Sequence, residues 1–477
     1  MRRSILLLLL LAVPLFTGCQ TTQYDLVIAN GRVIDPESGL DGVRNIAVNG
    51  STIAAISEEN LAGQRVLDAA GHVVSPGFID LHQHGQDPAN YAAHARDGIT
   101  TSFELELGVE NIAAWYAERA GGQVINHGAS ISHPYSRQIG MTGENPGLYG
   151  EALGRAATPE EIEKTAALIA KGLDEGAVAV GFGVAYSPGA TREELIEMFK
   201  VAAKYNASAH VHMRSTPDDF SNIEELLEAS KISGAPLHIV HINSSGGERA
   251  GQYLERIIQA QKDGLDVTTE CYPYNRGSTL IESHPYDDWE SFSDDRFENF
   301  IWVETGETLT RETFGRYRQQ GGTIITPPSY SMETVKMLVA SPLTMIASDG
   351  MWLVNGRAHP RSFGTFSRVL GRYVREEKAL SLNDALAKMT IRPAQRLERR
   401  VPMMQHKGRL KVGADADIVV FNPDTILDRG TFEDPVQAPE GIKYVLVNGT
   451  VTVDEGNVVE GVAAGQPVRA PLANAQQ

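Results

Sequence analysis

Short apolar runs broken by Gly and Asn open the chain at 24–28, 31–34, 45–48 and 52–56. They read as β-strands, with Asn30-Gly31 and Asn49-Gly50 as hairpin turns. The same texture returns at 416–421 and 443–449. Two strand-rich ends predict one small β-sandwich built from 24–75 and 408–465, with a larger domain, 76–400, inserted between them. In that middle, apolar runs at 73–81, 98–107, 125–132, 177–183, 207–213, 236–242, 265–271 and 343–347 alternate with helical periodicity. Helix starts carry their own marks: Thr158-Pro159-Glu160-Glu161, Thr191-Arg192-Glu193-Glu194 and Ser381-Leu382-Asn383-Asp384 each place a capping hydroxyl before an acidic first turn. Alternation of strand and helix predicts a parallel sheet. Eight such strands predict an α/β chain with a closed (β/α)8 TIM barrel, its site at the C-terminal strand ends. Residues 283–320, rich in Asp, Glu and aromatic side chains, break the rhythm and read as an insertion over the barrel mouth.

Composition narrows the setting. The 477 residues suffice for a barrel plus an accessory domain, and 42% are hydrophobic, enough for a large core. A formal charge of −18 with no long basic run argues against nucleic acid as a partner. Residues 1–18 carry Arg2 and Arg3, an apolar stretch at 5–16, then Thr17-Gly18 before Cys19. That stretch is too short to be a comfortable membrane span and reads as an export signal. Its ending resembles a bacterial lipobox, which implies lipidation of Cys19, a tether at 19–23 and a membrane link through that anchor only. Phe16 is less usual there than Leu, so ordinary secretory cleavage stays open. Gln20 after the Cys implies, by the same resemblance, the periplasmic face of the outer membrane. With Cys19 so used, Cys271 is unpaired and reads as a small buried residue.

Candidate chemistry gathers at the strand ends. In Pro76-Gly77-Phe78-Ile79-Asp80-Leu81-His82-Gln83-His84 the two histidines are spaced i, i+2 and project to one side of a strand, half of a metal site. Downstream, Ala209-His210-Val211-His212 offers His212 nearer the strand end, Leu237-His238-Ile239-Val240-His241 offers His241 with His238 on the opposite face, and Met345-Ile346-Ala347-Ser348-Asp349 ends in an acid. His238 reads as a buried, hydrogen-bonded structural residue.

Together, His82, His84, His212, His241 and Asp349 resemble the site of the amidohydrolase superfamily. Longer words are similar to the N-acyl-D-amino-acid deacylases: Val184-Ala185-Tyr186-Ser187-Pro188-Gly189, His212-Met213-Arg214, Tyr272-Pro273-Tyr274 with Gly277-Ser278-Thr279, His359-Pro360-Arg361, and Lys407-Gly408-Arg409-Leu410 with Gly413-Ala414-Asp415-Ala416-Asp417. The resemblance implies one or two Zn²⁺ ions on the four histidines, a proton shuttle at Asp349, and substrate contacts from Tyr272, Ser278 and the position held by Asn243. Arg361 suits a substrate carboxylate, since a guanidinium can pair with it through two hydrogen bonds.

The chain departs from that family twice. A metal-bridging Cys is expected at the end of strand two, where a gap-free alignment puts Leu107; here the strand reads Phe103-Glu104-Leu105-Glu106-Leu107. Glu104 and Glu106 share one face, and two unpaired carboxylates against the helices would cost several kcal/mol, so they should point inward. Glu106, nearer the mouth, is the candidate ligand, with Glu104 below it; an internal salt-bridge network is the alternative. Second, Asn243 stands where a Lys is usual, which opens the question of the α-carboxylate clamp. Arg214, Arg137 or Arg276 could replace that cation, though each alone reads as a structural ion-pair residue. His359 reads as orienting Arg361. The fourth strand offers no lysine for a carboxylated-lysine bridge, an argument against cyclic-amide hydrolysis. The reading is a zinc-dependent hydrolase of the amide of N-acyl, D-configured amino acids. The alternatives are a hydrolase of cyclic amides or dipeptides, or a lipoprotein that binds metal or ligand without turnover.

Overall fold

The computed structural model describes residues 23–215 and 219–473. The segment expected to be an export signal and Cys19 lie outside the described residues. Among the described residues, no helix is long and apolar enough to cross a membrane.

Eight parallel strands run in sequence order around the central sheet: Phe78–Asp80 (β1), Ile99–Val109 (β2), Asn126–Ser132 (β3), Val180–Gly183 (β4), Ala209–His212 (β5), Leu237–Ile239 (β6), Val267–Cys271 (β7) and Thr344–Ile346 (β8). Helices between them pack outside, among them Pro159–Asp174, where Thr158 and Glu161 form the expected capping box. The ends of β8 and β1 meet at the mouth. Asp349 N donates to His82 O at 2.8 Å, His84 N to Gly350 O at 2.8 Å, and Ser348 N to the Asp80 carboxylate at 3.1 Å. Barrel closure and placement of His82, His84 and Asp349 are thus one set of bonds.

The run expected as one strand at 73–81 is two. Val73–Pro76 belongs to the terminal sheet, and the chain turns at Gly77 into β1. Gly77 N donates to Asp417 O at 2.8 Å, and a Cβ there would lie 2.1 Å from Thr100 Oγ1, so no side chain fits.

Both chain ends build a single nine-stranded, mostly antiparallel sheet folded over its own core of Leu26, Ile28, Ile46, Val48, Ile418, Val420 and Leu446. Alternation does the rest: Val419 and Phe421, between those positions, face the barrel's helices. Asn49-Gly50 turns as expected, but Asn30-Gly31 is no hairpin. It is a bulge inside one long strand, Gln23–Asp35, with Asn30 at φ 63° and its N–H bonded to Asn45 Oδ1 at 2.9 Å. The strand must pass Val74 closely, and a Cβ on Gly31 would sit 2.3 Å from Val74 Cγ2. The bend lets this strand pair first with Ala62–Asp68 and then with Val73–Pro76.

The interrupting segment forms a lid-like layer. A three-stranded sheet, Ser278–Leu280, Ile301–Trp302 and Thr323–Ile325, carries a small aromatic core including Phe297, Phe300, Trp302 and Phe314. Its Tyr286 and Phe300 face the mouth cavity.

Lys407, from the motif after the barrel, is fully buried and bonds both Asp415 and Asp417 at 2.8 Å. Asp417 in turn accepts from Asn126 Nδ2 at 3.0 Å, tying sheet to barrel. Removing the cation leaves a buried carboxylate without its partner. We therefore expect Lys407→Met to lose about 3–5 kcal/mol in denaturant unfolding, with part of the loss recovered by adding Asp417→Asn.

Candidate metal centre and active site

The mouth of the barrel holds a cavity of about 760 Å³, and its floor is a tight cluster of imidazoles and carboxylates. β1 delivers His82 and His84, whose Nε2 atoms are 3.3 Å apart. β5 delivers His212, and the end of β6 delivers His241, whose Nε2 lies 3.1 Å from His212 Nδ1. Between the two pairs stands Glu106 of β2. Its Oε2 is 3.0 Å from both His82 Nε2 and His84 Nε2; its Oε1 faces His241 Nε2 at 3.2 Å and His212 Nδ1 more closely still. One carboxylate thus presents one oxygen to each histidine pair. Asp349 closes the first group, with Oδ1 3.4 Å from His82 Nε2 and 3.5 Å from His84 Nε2.

A bulge in β2 aims these acids. Glu104 Oε1 accepts from Leu107 N and Gly108 N, both at 3.2 Å, which holds the strand end away from its regular register, with Gly108 at φ 73°. Glu104 Oε2 then meets His84 Nδ1 at 2.7 Å. Glu104 therefore lies beneath His84, and Glu106 occupies the centre. Leu107 lines the cavity in an apolar group with Leu148 and Tyr186. β4 brings no lysine, and at Gly181, where a Cβ would lie 2.6 Å from Glu106 O, the close approach of β4 to β2 leaves no room for any side chain. His241 at φ 29° and Asp349 at φ 51° adopt left-handed backbone that such residues rarely take, a cost borne at the two turns that point them inward.

The histidines are oriented from behind. His82 Nδ1 pairs with Glu270 Oε1 at 2.6 Å, His84 with Glu104, and His241 Nδ1 with Ser245 Oγ at 3.3 Å. With one nitrogen so occupied, each ring turns the other toward the cluster, the arrangement typical of metal-ligating histidine. Glu270 was not among the residues singled out from the sequence. Its other oxygen takes His238 Nε2 at 3.0 Å, and His238 Nδ1 meets Thr268 Oγ1 at 2.8 Å, so His238 is structural, as expected.

Charge in the cluster is unbalanced. Four buried carboxylates, Glu104, Glu106, Glu270 and Asp349, gather here, and Arg361 pairs with Asp349 among them. Burial opposes charge on His82 and His84, but the surrounding carboxylates outweigh it and hold both imidazoles well above their ordinary pKa. Glu106 is held well below the usual carboxylate range despite burial, because His82 and His212 face it. Asp80 is pushed up to about 7 by burial. The carboxylates thus favour positive charge at His82 and His84. Nitrogen and oxygen donors in two adjoining groups fit a divalent ion on either side of Glu106.

The other sequence candidates sit as follows. Arg361 is fully buried, donates through Nη2 to Asp349 at 2.8 Å and to Ser278 O at 3.2 Å, and lies over the Tyr272 ring at 4.6 Å. Tyr272 and Ser278 line the cavity. Asn243 is buried away from it, its amide bonded to Tyr330 OH at 2.7 Å and Tyr272 O at 3.3 Å. His359 Nδ1 accepts from Arg361 N at 3.0 Å. Arg214 pairs with Glu225 and Arg137 with Glu194, and Arg276 donates to Thr326 O. Cys271 is buried, its thiol pushed up to about 11.

A parallel barrel with acid and imidazole groups at the C-terminal strand ends defines a metal-dependent hydrolase architecture, and the comparisons with known proteins agree. The family model described as amidohydrolase family matches residues 140–453. N-acyl-D-glutamate deacylase of Alcaligenes xylosoxydans xylosoxydans is 32% identical over an alignment covering 89% of this chain and 93% of that protein. D-aminoacylase of the same organism is 29% identical, covering 89% and 94%. Among solved structures, N-acyl-D-glutamate deacylase from Bordetella bronchiseptica, complexed with zinc and a phosphonate mimic of the tetrahedral intermediate, superposes with a TM-score of 0.80 at 26% identity, covering 94% of this chain and 100% of that one. A D-aminoacylase structure described by its binuclear metal centre gives 0.79 at 25% identity, with the same coverage. The chain belongs to the amidohydrolase family, among the N-acyl-D-amino-acid deacylases.

Because His82 and His84 hold protons that a cation must displace, loading the stripped protein with a divalent ion at pH 7 should release more than one proton per protein. Calorimetry in buffers of different ionisation enthalpy measures this. Uptake should weaken as pH falls, since each added proton competes for the same nitrogens.

Proposed function

We propose that this chain hydrolyses the amide bond of N-acyl-D-amino acids, with Zn²⁺ held by His82, His84, His212 and His241 and with Glu106 shared between the two histidine pairs. The observation that carries the reading is the placement of Asp349: its Oδ1 lies beside the first histidine pair and against Arg361, at the floor of a cavity open to a small molecule. A bound divalent ion supplies Lewis acidity, polarising the amide carbonyl and making water acidic.

Asp349 Oδ1 is the base that accepts the proton of the attacking water, and the same carboxyl returns it to the amine nitrogen as the C–N bond breaks. Arg361 keeps Asp349 ionised and at a fixed position, because the nearby guanidinium holds the carboxylate below its ordinary pKa even though burial works the other way. Tyr272 and Ser278 on the cavity wall are the groups placed for the substrate's carboxylate, and the buried Arg361 stands behind them, over the Tyr272 ring at 4.6 Å and bonded to Ser278 O at 3.2 Å. Asn243 contributes by fixing Tyr330 and Tyr272 rather than by charge. The lid residues Tyr286 and Phe300 limit water in the cavity once substrate enters. Read with an export signal and lipidation at Cys19, the reaction takes place on the periplasmic face of the outer membrane.

Zinc-loaded protein lacking residues 1–19 should release amino acid from N-acetyl-D-amino acids and not from the L-enantiomers. Equal rates on both, or no release from either, would sink the reading. Asp349→Asn should lower kcat by about 10²- to 10⁴-fold while zinc content, measured by elemental analysis, is retained.

A further inference from the structure

At the opposite end of the barrel, a second cavity of about 430 Å³ opens at the starts of β5 to β8, lined by residues that precede or begin those strands, such as Ser208 and Asp266. Helix Ile391–Glu398 and the residues just after it cover this floor and bring four arginines to it, Arg392, Arg396, Arg399 and Arg400, against one carboxylate, Asp266. That balance runs against a chain whose formal charge is −18. Neighbouring Glu398 does not offset it, because it is engaged by Arg409.

The four guanidiniums are not equally occupied. Arg400 is accounted for structurally: it donates to Leu173 O at 2.6 Å, Tyr205 O at 3.2 Å and Ala177 O at 3.3 Å, carbonyls at helix ends and at the loop entering β4. Arg396, whose side chain is 4% exposed, spends Nη1 and Nη2 on Asp266, while its Nε is buried without a partner. Arg392 uses one donor, to Pro342 O at 2.8 Å. Arg399 makes no side-chain hydrogen bond or ion pair among the described residues, and its charge bears on Arg396. Burial depresses the pKa of Arg392 and Arg396, outweighing Asp384 near the first and Asp266 on the second. Forked donors with spare N–H groups around one cavity suit a compact oxyanion, which can accept several charge-assisted hydrogen bonds at once.

We propose that this floor cavity is an oxyanion-binding site, taking a phosphate-sized multivalent anion between Arg392, Arg396 and Arg399. The site is separate from the metal centre, yet not isolated from it. Arg396 Nη1 donates to Thr268 Oγ1 at 3.4 Å, the first member of the hydrogen-bonded column through His238 and Glu270 to His82.

The test is calorimetric titration of inorganic phosphate into the metal-loaded protein and into its Arg392→Gln/Arg399→Gln variant, at ionic strength fixed with chloride. Phosphate bound at the metal centre is common to both, so the difference reports the floor. The expected result is a saturable event in wild type that weakens at least tenfold in the variant, with metal content and amide hydrolysis unchanged. Superimposable isotherms would overturn the proposal. A phosphate-soaked wild-type crystal gives an independent readout: density between the three guanidiniums supports the site, and density at the metal centre alone refutes it.

Discussion

Everything at the mouth depends on one buried carboxylate. Glu106 stands where four imidazole nitrogens converge, and its two oxygens divide them into two groups. A carboxylate taken out of water costs several kcal/mol unless opposite charge meets it. Glu106 meets that cost through the imidazoles closed around it, of which His82 and His84 are held well above their ordinary pKa.

The surrounding structure serves to hold that arrangement. The bonds that close β8 onto β1 also set Asp349 against His82 and His84. The β2 bulge that lets Glu104 support His84 also brings Glu106 to the centre. Left-handed backbone at His241 and Asp349 is tolerated because ladder bonds and side-chain pairs on both sides over-determine it. The terminal sheet contributes from outside, through the buried Lys407–Asp417 pair and the turn at Gly77 that launches β1.

Much of this was legible in the sequence, and the reasons differ by residue. The βα rhythm announced the barrel because hydrophobic period changes from two to 3.6 at each crossover. The inward direction of Glu104 and Glu106 followed from the cost of a carboxylate on a buried strand face. The same argument applies to Glu270 within Val267–Cys271, a run whose only charged residue it is, yet among histidine-bearing strands it drew no attention. What alternation alone could not tell is which oxygen of Glu106 faces which ring, since that depends on a bulge set by long-range contacts. Asn30-Gly31 has hairpin chemistry and is a bulge instead, because the tertiary need to pass Val74 outweighs the local turn preference. The family resemblance put Asn243 among the substrate contacts; in three dimensions its amide turns to Tyr330 OH and the Tyr272 carbonyl.

On the proposed function Glu106 is a metal ligand of this centre, at the place where the resembling family carries a cysteine. Anomalous X-ray diffraction from zinc-loaded crystals, collected on both sides of the zinc absorption edge, tests it most directly. The account predicts anomalous density within about 2.0–2.2 Å of a Glu106 oxygen, on the His82 and His84 side, the His212 and His241 side, or both. Zinc fully occupied at the mouth with Glu106 beyond ligand distance would contradict it.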